Sequence, residues 1–196
     1  MKHKVDIDFL ALYGRTGLGK STLGVSLAIQ YSLSNKVAPI VSNMRLRIPG
    51  VTTLDISHVK ELLEYLKEYP GAIALIDEFD KSFSSNIGWL ERQREQQLTE
   101  LVSNARKYGT IALIATSQGK KKIRNTFRLN CRYVIEPTGT LDTADCPEYF
   151  IWNDVELYEE SGKNRYKYAE FCSSTLPLNF LADTFETRET VLMEWQ

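Results

Sequence analysis

The stretch Asp8-Phe9-Leu10-Ala11-Leu12-Tyr13-Gly14-Arg15-Thr16-Gly17-Leu18-Gly19-Lys20-Ser21-Thr22 decides the fold. Its first six residues form a short apolar run stopped by a glycine, the pattern of a buried strand. The next eight fit G-x-x-x-x-G-K-[ST] at every position. Leu23, Val25, Leu27, Ala28 and Tyr31 then recur at helical spacing. Strand, glycine-rich turn and helix, in that order, are the setting in which this motif holds phosphate. The glycines let backbone N–H groups curl around phosphate oxygens, and the helix N-terminus adds a partial positive charge. Gly14, Arg15, Thr16, Gly17, Leu18, Gly19, Lys20, Ser21 and Thr22 are the candidate nucleotide-binding residues. Lys20 is expected to reach the β- and γ-phosphates and Ser21 to hold Mg²⁺. A merely structural glycine turn is the competing reading, and the strand–helix context weighs against it.

Working outward, Val37–Val41 reads as a second strand, with Pro39 favouring its start or an edge. Met44–Thr53 reads as an excursion turned at Pro49-Gly50. Ser57 is placed to cap a helix carrying Val59, Leu62, Leu63 and Leu66 and stopped before Pro70-Gly71. Ala72–Ile76 and Ile111–Ala115 read as buried strands flanking a charged helix over Leu90–Tyr108 closed by Gly109, and Arg132–Ile135 as a further strand. Continuous apolar strands separated by helices predict an α/β fold with a mostly parallel central sheet covered on both faces. After Pro137 the aromatic-rich runs Glu148–Tyr158 and Asn164–Phe171 predict an antiparallel hairpin. The expected division is a P-loop core over 1–137 and a β-hairpin extension and tail over 138–196, packed on the same domain.

The strand ending at Ile76 delivers Asp77 and Glu78. An apolar strand that carries an acid to a phosphate site makes Asp77 the second candidate Mg²⁺ residue. Glu78 becomes the candidate base that orients and deprotonates an attacking water. A second acid directly after the first favours hydrolysis over transfer to another substrate; Asp80 is a lesser candidate for the base. The strand over 111–115 runs on into Thr116-Ser117-Gln118. Because ligands bind beyond the carboxyl ends of such strands, Gln118 is a candidate γ-phosphate sensor.

The 196 residues suffice for one large domain without staples, and 43% hydrophobic with 25% charged side chains is an ordinary globular composition. The three cysteines, Cys131, Cys146 and Cys172, lie far apart, and the histidines are His3 and His58. This argues against a disulfide framework or a zinc site. No apolar run reaches the roughly 20 residues of a membrane helix, and Met1–Asp6 is not followed by a signal-like segment. A cytoplasmic address is therefore expected. The net charge of −1 conceals an asymmetry: residues 1–136 hold 20 basic and 13 acidic side chains, residues 137–196 hold 4 and 12. From Arg106 to Arg132 there is no acid at all, so an anionic partner could dock there; a solvated basic loop is the plain alternative.

In order along the chain, the P-loop, Ile76-Asp77-Glu78-Phe79, Ala105-Arg106-Lys107-Tyr108-Gly109 and Ile111-Ala112-Leu113-Ile114-Ala115-Thr116-Ser117-Gln118 resemble the FtsK–HerA group of DNA-pumping ATPases, which includes viral genome-packaging ATPases. The resemblance spans roughly residues 6–136, and Ser117 interrupts the group's Ala-Thr-Gln ending. It implies a RecA/FtsK-like P-loop NTPase using ATP and Mg²⁺, assembled as a homo-oligomeric ring, pentamer or hexamer. It also implies double-stranded DNA as cargo. By the match at Ala105-Arg106, it implies that Arg106 is an arginine finger acting on a neighbour's nucleotide. Arg92, Arg94, Arg124 and Arg128 stand in reserve, and a cation suited to the helix dipole is the ordinary reading of Arg106. The P-loop region, Ser42-Asn43-Met44-Arg45-Leu46 and Asp183-Thr184-Phe185-Glu186 resemble zonula occludens toxin-type phage assembly ATPases, which normally carry a membrane helix.

The function expected is an ATPase motor that translocates double-stranded DNA into a viral capsid. It would work in the host cytoplasm at the procapsid, with a capsid vertex protein as a further partner and no membrane. Lys120-Lys121-Lys122 with Arg124 is the candidate DNA grip. The alternatives are an extrusion or assembly ATPase of the toxin type and a P-loop switch that does not translocate. A GTPase switch lacks support because Asn35-Lys36-Val37-Ala38 has no Asp for guanine reading and no Asp-x-x-Gly follows the P-loop. A small-molecule kinase would have no use for the Glu78 base and lacks an obvious Arg-rich lid. A scaffold that uses ATP only to order a ring is the remaining rival.

Overall fold

In a computed structural model, the structure describes residues 7–17, 19–82, 88–118, 125–128, 130–131, 133–137, 148–160 and 163–175. The elements are β1 (Asp8–Tyr13), α1 (Lys20–Ser34), β2 (Ile40–Ser42), β3 (Thr53–Asp55), α2 (Val59–Glu68), β4 (Ile73–Ile76), α3 (Phe79–Ser82), α4 (Gly88–Tyr108), β5 (Ala112–Ser117), α5 (Asn125–Arg128), β6 (Tyr133–Pro137), β7 (Glu148–Glu160) and β8 (Lys163–Thr175). They build one sheet in the order β3-β2-β4-β5-β1-β6-β7-β8. Every pairing from β3 across to β6 is parallel. β6–β7 and β7–β8 are antiparallel.

The parallel strands are apolar on both sides because both faces are covered. In β1, Phe9, Ala11 and Tyr13 join one core with Val59, Leu62 and Leu66 of α2, Leu98 and Leu101 of α4 and Phe127 of α5. Leu10 and Leu12 join the other core, with Leu23, Val25, Ala28 and Ile29 of α1. α1 lies close to the sheet because residue 24 is glycine: a Cβ there would stand 3.0 Å from Leu75 Cδ1 and 3.4 Å from Thr116 Cγ2.

Three local readings need correction. The second strand begins at Ile40, not Val37: Lys36 and Val37 occupy left-handed conformations, and Ser32 Oγ donates to the Ala38 carbonyl at 2.6 Å, closing the end of α1. Thr53, expected to end an excursion, instead opens Thr53–Asp55, which pairs with β2 as the parallel edge strand β3. The residue preceding α2 is His58, not Ser57. Ser57 instead gives its N–H and its hydroxyl to Glu61 Oε2, at 2.7 and 3.1 Å, and the His58 N–H donates to the same oxygen at 3.0 Å. These bonds hold the Glu61 carboxyl below the usual carboxylate range.

Candidate functional site

The strand order puts β5 between β1 and β4. The phosphate loop follows β1 and the acid pair follows β4, so the end of β5 lies between them. In register, Leu12 sits beside Thr116, and Ile76 beside Ala115. The Gly14 N–H donates to the Ser117 carbonyl at 3.3 Å, tying the start of the loop to β5.

Gly17 and Gly19 have φ of +86° and +77°, conformations that side chains disfavour. Gly19 precedes α1 directly, so the loop delivers its N–H groups to the helix N-terminus. Thr16, Gly17, Gly19, Lys20, Ser21, Thr22, Asp77, Glu78, Thr116, Ser117 and Gln118 line a cavity of about 410 Å³. Residues expected from the P-loop, the acid pair and the β5 ending therefore meet in one place. Lys20 Nζ donates to the Arg15 carbonyl at 2.9 Å, folding back along its own loop. Burial pushes its ammonium below the usual lysine value, while Asp77, Asp80 and Glu78 pull the other way.

Asp77 is 4% exposed and surrounded by donors. Ser21 Oγ and Thr116 Oγ1 both donate to its Oδ1, at 2.9 and 2.5 Å. Its backbone is clamped by the buried Asn43 amide: the Asp77 N–H donates to Asn43 Oδ1 at 2.8 Å, and Asn43 Nδ2 donates to the Asp77 carbonyl at 3.0 Å. Glu78 has φ of +50°, a strained state for this residue type. Its N–H donates to Thr116 Oγ1 at 3.0 Å, its carboxylate pairs with Lys81, and it lines the cavity. Asp80 is buried and receives the Gln118 N–H at 3.4 Å. It is absent from the cavity lining, so Glu78 is the better placed of the two acids.

Among the described residues no group of three or more His, Cys, Asp or Glu could hold a metal ion. Mg²⁺ that arrives with phosphates is held by only one or two protein oxygens. Ser21 and Asp77, already within hydrogen-bond distance of each other, fit that demand.

Arg106 lies elsewhere. Its guanidinium stands 5.6 Å from the centre of the Phe9 ring and donates to Asn130 Oδ1 at 2.8 Å. Phe9 belongs to the start of β1, about 16 Å of strand from the phosphate loop, and Arg106 does not line its own chain's cavity. Leu18, Lys120–Lys122 and Arg124 lie outside the described residues, as do the side chains of Arg92, Arg94 and Arg128. Asn43 and Thr116 join the site without belonging to any motif in the sequence. Their signal was only that each stands beside a strand end, and their partners are 34 to 39 residues away.

Residues 10–137 match the ATPase family associated with various cellular activities (AAA). The chain belongs to this AAA ATPase family. The match names AAA and not the FtsK–HerA group in particular. No curated protein matches the chain in sequence. Among solved structures the AAA fold here is similar to the N-terminal domain of zonular occludens toxin from Neisseria meningitidis, at 15% identity, covering 92% of this chain and 99% of that one with a TM-score of 0.55. It is similar to the genome packaging NTPase B204 of Sulfolobus turreted icosahedral virus 2, solved with ATP-gammaS, at 16% identity, 76% and 92% coverage and a TM-score of 0.50. It is also similar to the KaiC-like protein PH0186 of Pyrococcus horikoshii, at 12% identity, 90% and 99% coverage and a TM-score of 0.51. At these identities the likeness is one of fold. Among the described residues no helix is long and apolar enough to cross a membrane.

Proposed function

We propose that this AAA ATPase is an ATP-hydrolysing motor that assembles as a ring of five or six copies and translocates double-stranded DNA, packaging a viral genome into a capsid. The carrying observation is the convergence of Lys20, Ser21, Asp77, Glu78 and Gln118 on one cavity. In this reading the loop N–H groups and Lys20 would hold the phosphates of ATP, and Ser21 and Asp77 would hold Mg²⁺, whose charge would offset that of the phosphates. Glu78, once released from Lys81, accepts the proton of the attacking water. Gln118 senses the γ-phosphate. Arg106, remote from its own cavity, serves the nucleotide of a neighbouring copy.

The DNA cargo is supported by the acid-free stretch from Arg106 to Arg132 and by the fold shared with a genome packaging NTPase. A capsid vertex protein and work at the procapsid in the host cytoplasm belong to the same reading. The second reading is an assembly or extrusion ATPase of the zonula occludens toxin type, favoured by the greater share of this chain that its fold covers.

ATP turnover measured with and without duplex DNA, with particle size followed in parallel, tests the proposal. Stimulation by DNA in a ring-sized particle is expected, and Lys20→Ala should abolish tight ATP binding. Turnover indifferent to duplex DNA would leave the ATPase and remove the motor.

A further inference from the structure

Between β2 and β3 the chain makes a loop that the nucleotide cavity does not use. In it Met44, Leu46 and Ile48 alternate with Arg45 and Arg47. Met44 and Leu46 are buried in the core that α1 covers, and Ile48 and Val51 pack half-buried against it. Arg45 and Arg47 are exposed. Burial that alternates in this way is that of extended chain, so both arginines stand on its outer side, about 6.6 Å apart along the segment. The loop is held along its length. The Met44 N–H donates to Ser42 Oγ at 3.0 Å, and Thr53 Oγ1 donates to the Leu46 carbonyl at 3.1 Å. The Val51 N–H donates to the Ile48 carbonyl at 3.1 Å, across a turn in which Gly50 has φ of +76°. Two bonds of 2.9 Å, from the Ile40 N–H to the Thr52 carbonyl and from the Ile56 N–H to the Ser42 carbonyl, close its base. The backbone under the two guanidinium groups is thus ordered before anything binds, which cuts the entropic cost of binding.

No Asp or Glu occurs between Phe9 and Leu54, so the loop belongs to a stretch whose only formal charges are positive. Guanidinium groups match phosphate oxygens two bonds at a time and keep their charge at any working pH. The free edge at the other end of the sheet, β8, holds Lys163, Arg165 and Lys167 against Glu170 alone, a poor acidic partner for a second copy's loop. Ile48 and Val51 are packed on the core, which leaves no large apolar tip to enter a bilayer. We propose that Arg45 and Arg47 form a contact surface for the phosphodiester backbone of duplex DNA, gripping phosphates of one strand without reading sequence. Neither residue lines the nucleotide cavity. The inference rests on the DNA reading above and gives it a surface separate from the site of ATP chemistry.

Two double variants separate charge from packing. Arg45→Gln with Arg47→Gln keeps much of each apolar stem and drops the charge; Arg45→Lys with Arg47→Lys keeps the charge. Binding of fluorescent duplexes of several sequences is followed by anisotropy from about 50 to 200 mM KCl. Sedimentation with phosphatidylserine–phosphatidylcholine vesicles and titration of a fluorescent ATP analogue run in parallel. Each phosphate contact contributes about 0.9 to the slope of log affinity against log salt. The Gln pair should flatten that slope by about 1.8, so that over this range wild type loses about 12-fold more affinity than the variant. Every duplex sequence should weaken alike. The Lys pair should keep the wild-type slope, and ATP affinity should be unchanged in both. Should the double Gln variant not fold, the single variants carry the test at about 0.9 each. A Gln variant with the wild-type slope, a Lys variant as flat as Gln, or loss of vesicle binding with duplex binding intact would each overturn the assignment while leaving the DNA reading standing. A wild-type chain with no salt-dependent affinity for duplex DNA would overturn the DNA reading and this inference together.

Discussion

At the carboxyl ends of β1, β2, β4 and β5, buried and half-buried polar atoms bond to one another: Asn43 to the Asp77 backbone, Ser21 and Thr116 to its carboxylate, and Thr116 to Glu78. At the amino end of β1 the materials are aromatic. Phe9 meets Phe127 edge-on with ring centres 5.8 Å apart, and Arg106 lies over Phe9. Phe127 also packs 4.8 Å from Phe79, the residue after Glu78, so one ring joins the two regions. The polar end depends on hydrogen-bond geometry, where losing one partner leaves another buried group unsatisfied. The aromatic end depends on area and shape, where losses are graded by volume. Substitutions at the first should therefore act on chemistry and at the second on stability.

Arg106 is where that division is most easily broken. As a finger for a neighbouring copy it would be worth about 10³–10⁵ in rate, so Arg106→Ala should bind ATP and scarcely hydrolyse it. Mixing Arg106→Ala with Lys20→Ala subunits should restore turnover wherever an intact loop faces an intact Arg106. If subunits exchange and nothing returns, while the melting temperature falls, Arg106 belongs only to the packing around Phe9 and Asn130. Next in size is Glu78→Gln. It should retain nucleotide binding and lose about 10²–10⁴ in kcat, because an amide cannot accept the proton. Near wild-type turnover would move the base to Asp80.

Phe127→Ala sharpens the other side of the comparison. Removing a fully buried ring should cost about 3–5 kcal/mol in denaturant unfolding, with the Mg²⁺ dependence of nucleotide binding kept in whatever fraction stays folded. The smallest effect is expected at Glu61→Gln, away from both regions, at about 0.5–1 kcal/mol from a weakened helix start. Since the Glu61 carboxyl is held below its ordinary value of 4.5, its contribution is complete above that pH. It fades as the pH falls through the lower folded value. The gap between wild type and variant should accordingly close in acid. A gap that persists there would mean that the carboxylate charge is not what Ser57 and His58 recognise.

The parts of this molecule legible in the sequence are those encoded locally. β1 and the loop after it announce themselves by an apolar run and a glycine spacing, and β4 and β5 by uninterrupted apolar residues that only a sheet covered on both faces can bury. β3 was missed because Thr53-Leu54-Asp55 is short, carries polar residues at both ends and is partly exposed, with nothing to distinguish it from a loop until β2 lies beside it. α3 and α5 are single turns, too short for any period to show. Lys20, Ser21, Asp77 and Glu78 could be named from spacing and strand context. Asn43 and Thr116 could not, since their roles exist only through partners brought close by the strand order, and the same residue types occur at many strand ends.

The alternation along β1 limits how the phosphate loop can move. Sliding β1 by one residue against its neighbours would turn Phe9, Ala11 and Tyr13 toward α1 and Leu10 and Leu12 toward α2 and α4, exchanging two differently shaped interiors. Sliding by two residues preserves the faces but carries the loop about 7 Å along the strand axis, beyond the reach of Ser21 to Asp77. The loop thus has discrete berths with no continuum between them. Any travel of the loop falls to segments that swing about the strands, while β1 stays where its side chains lock it.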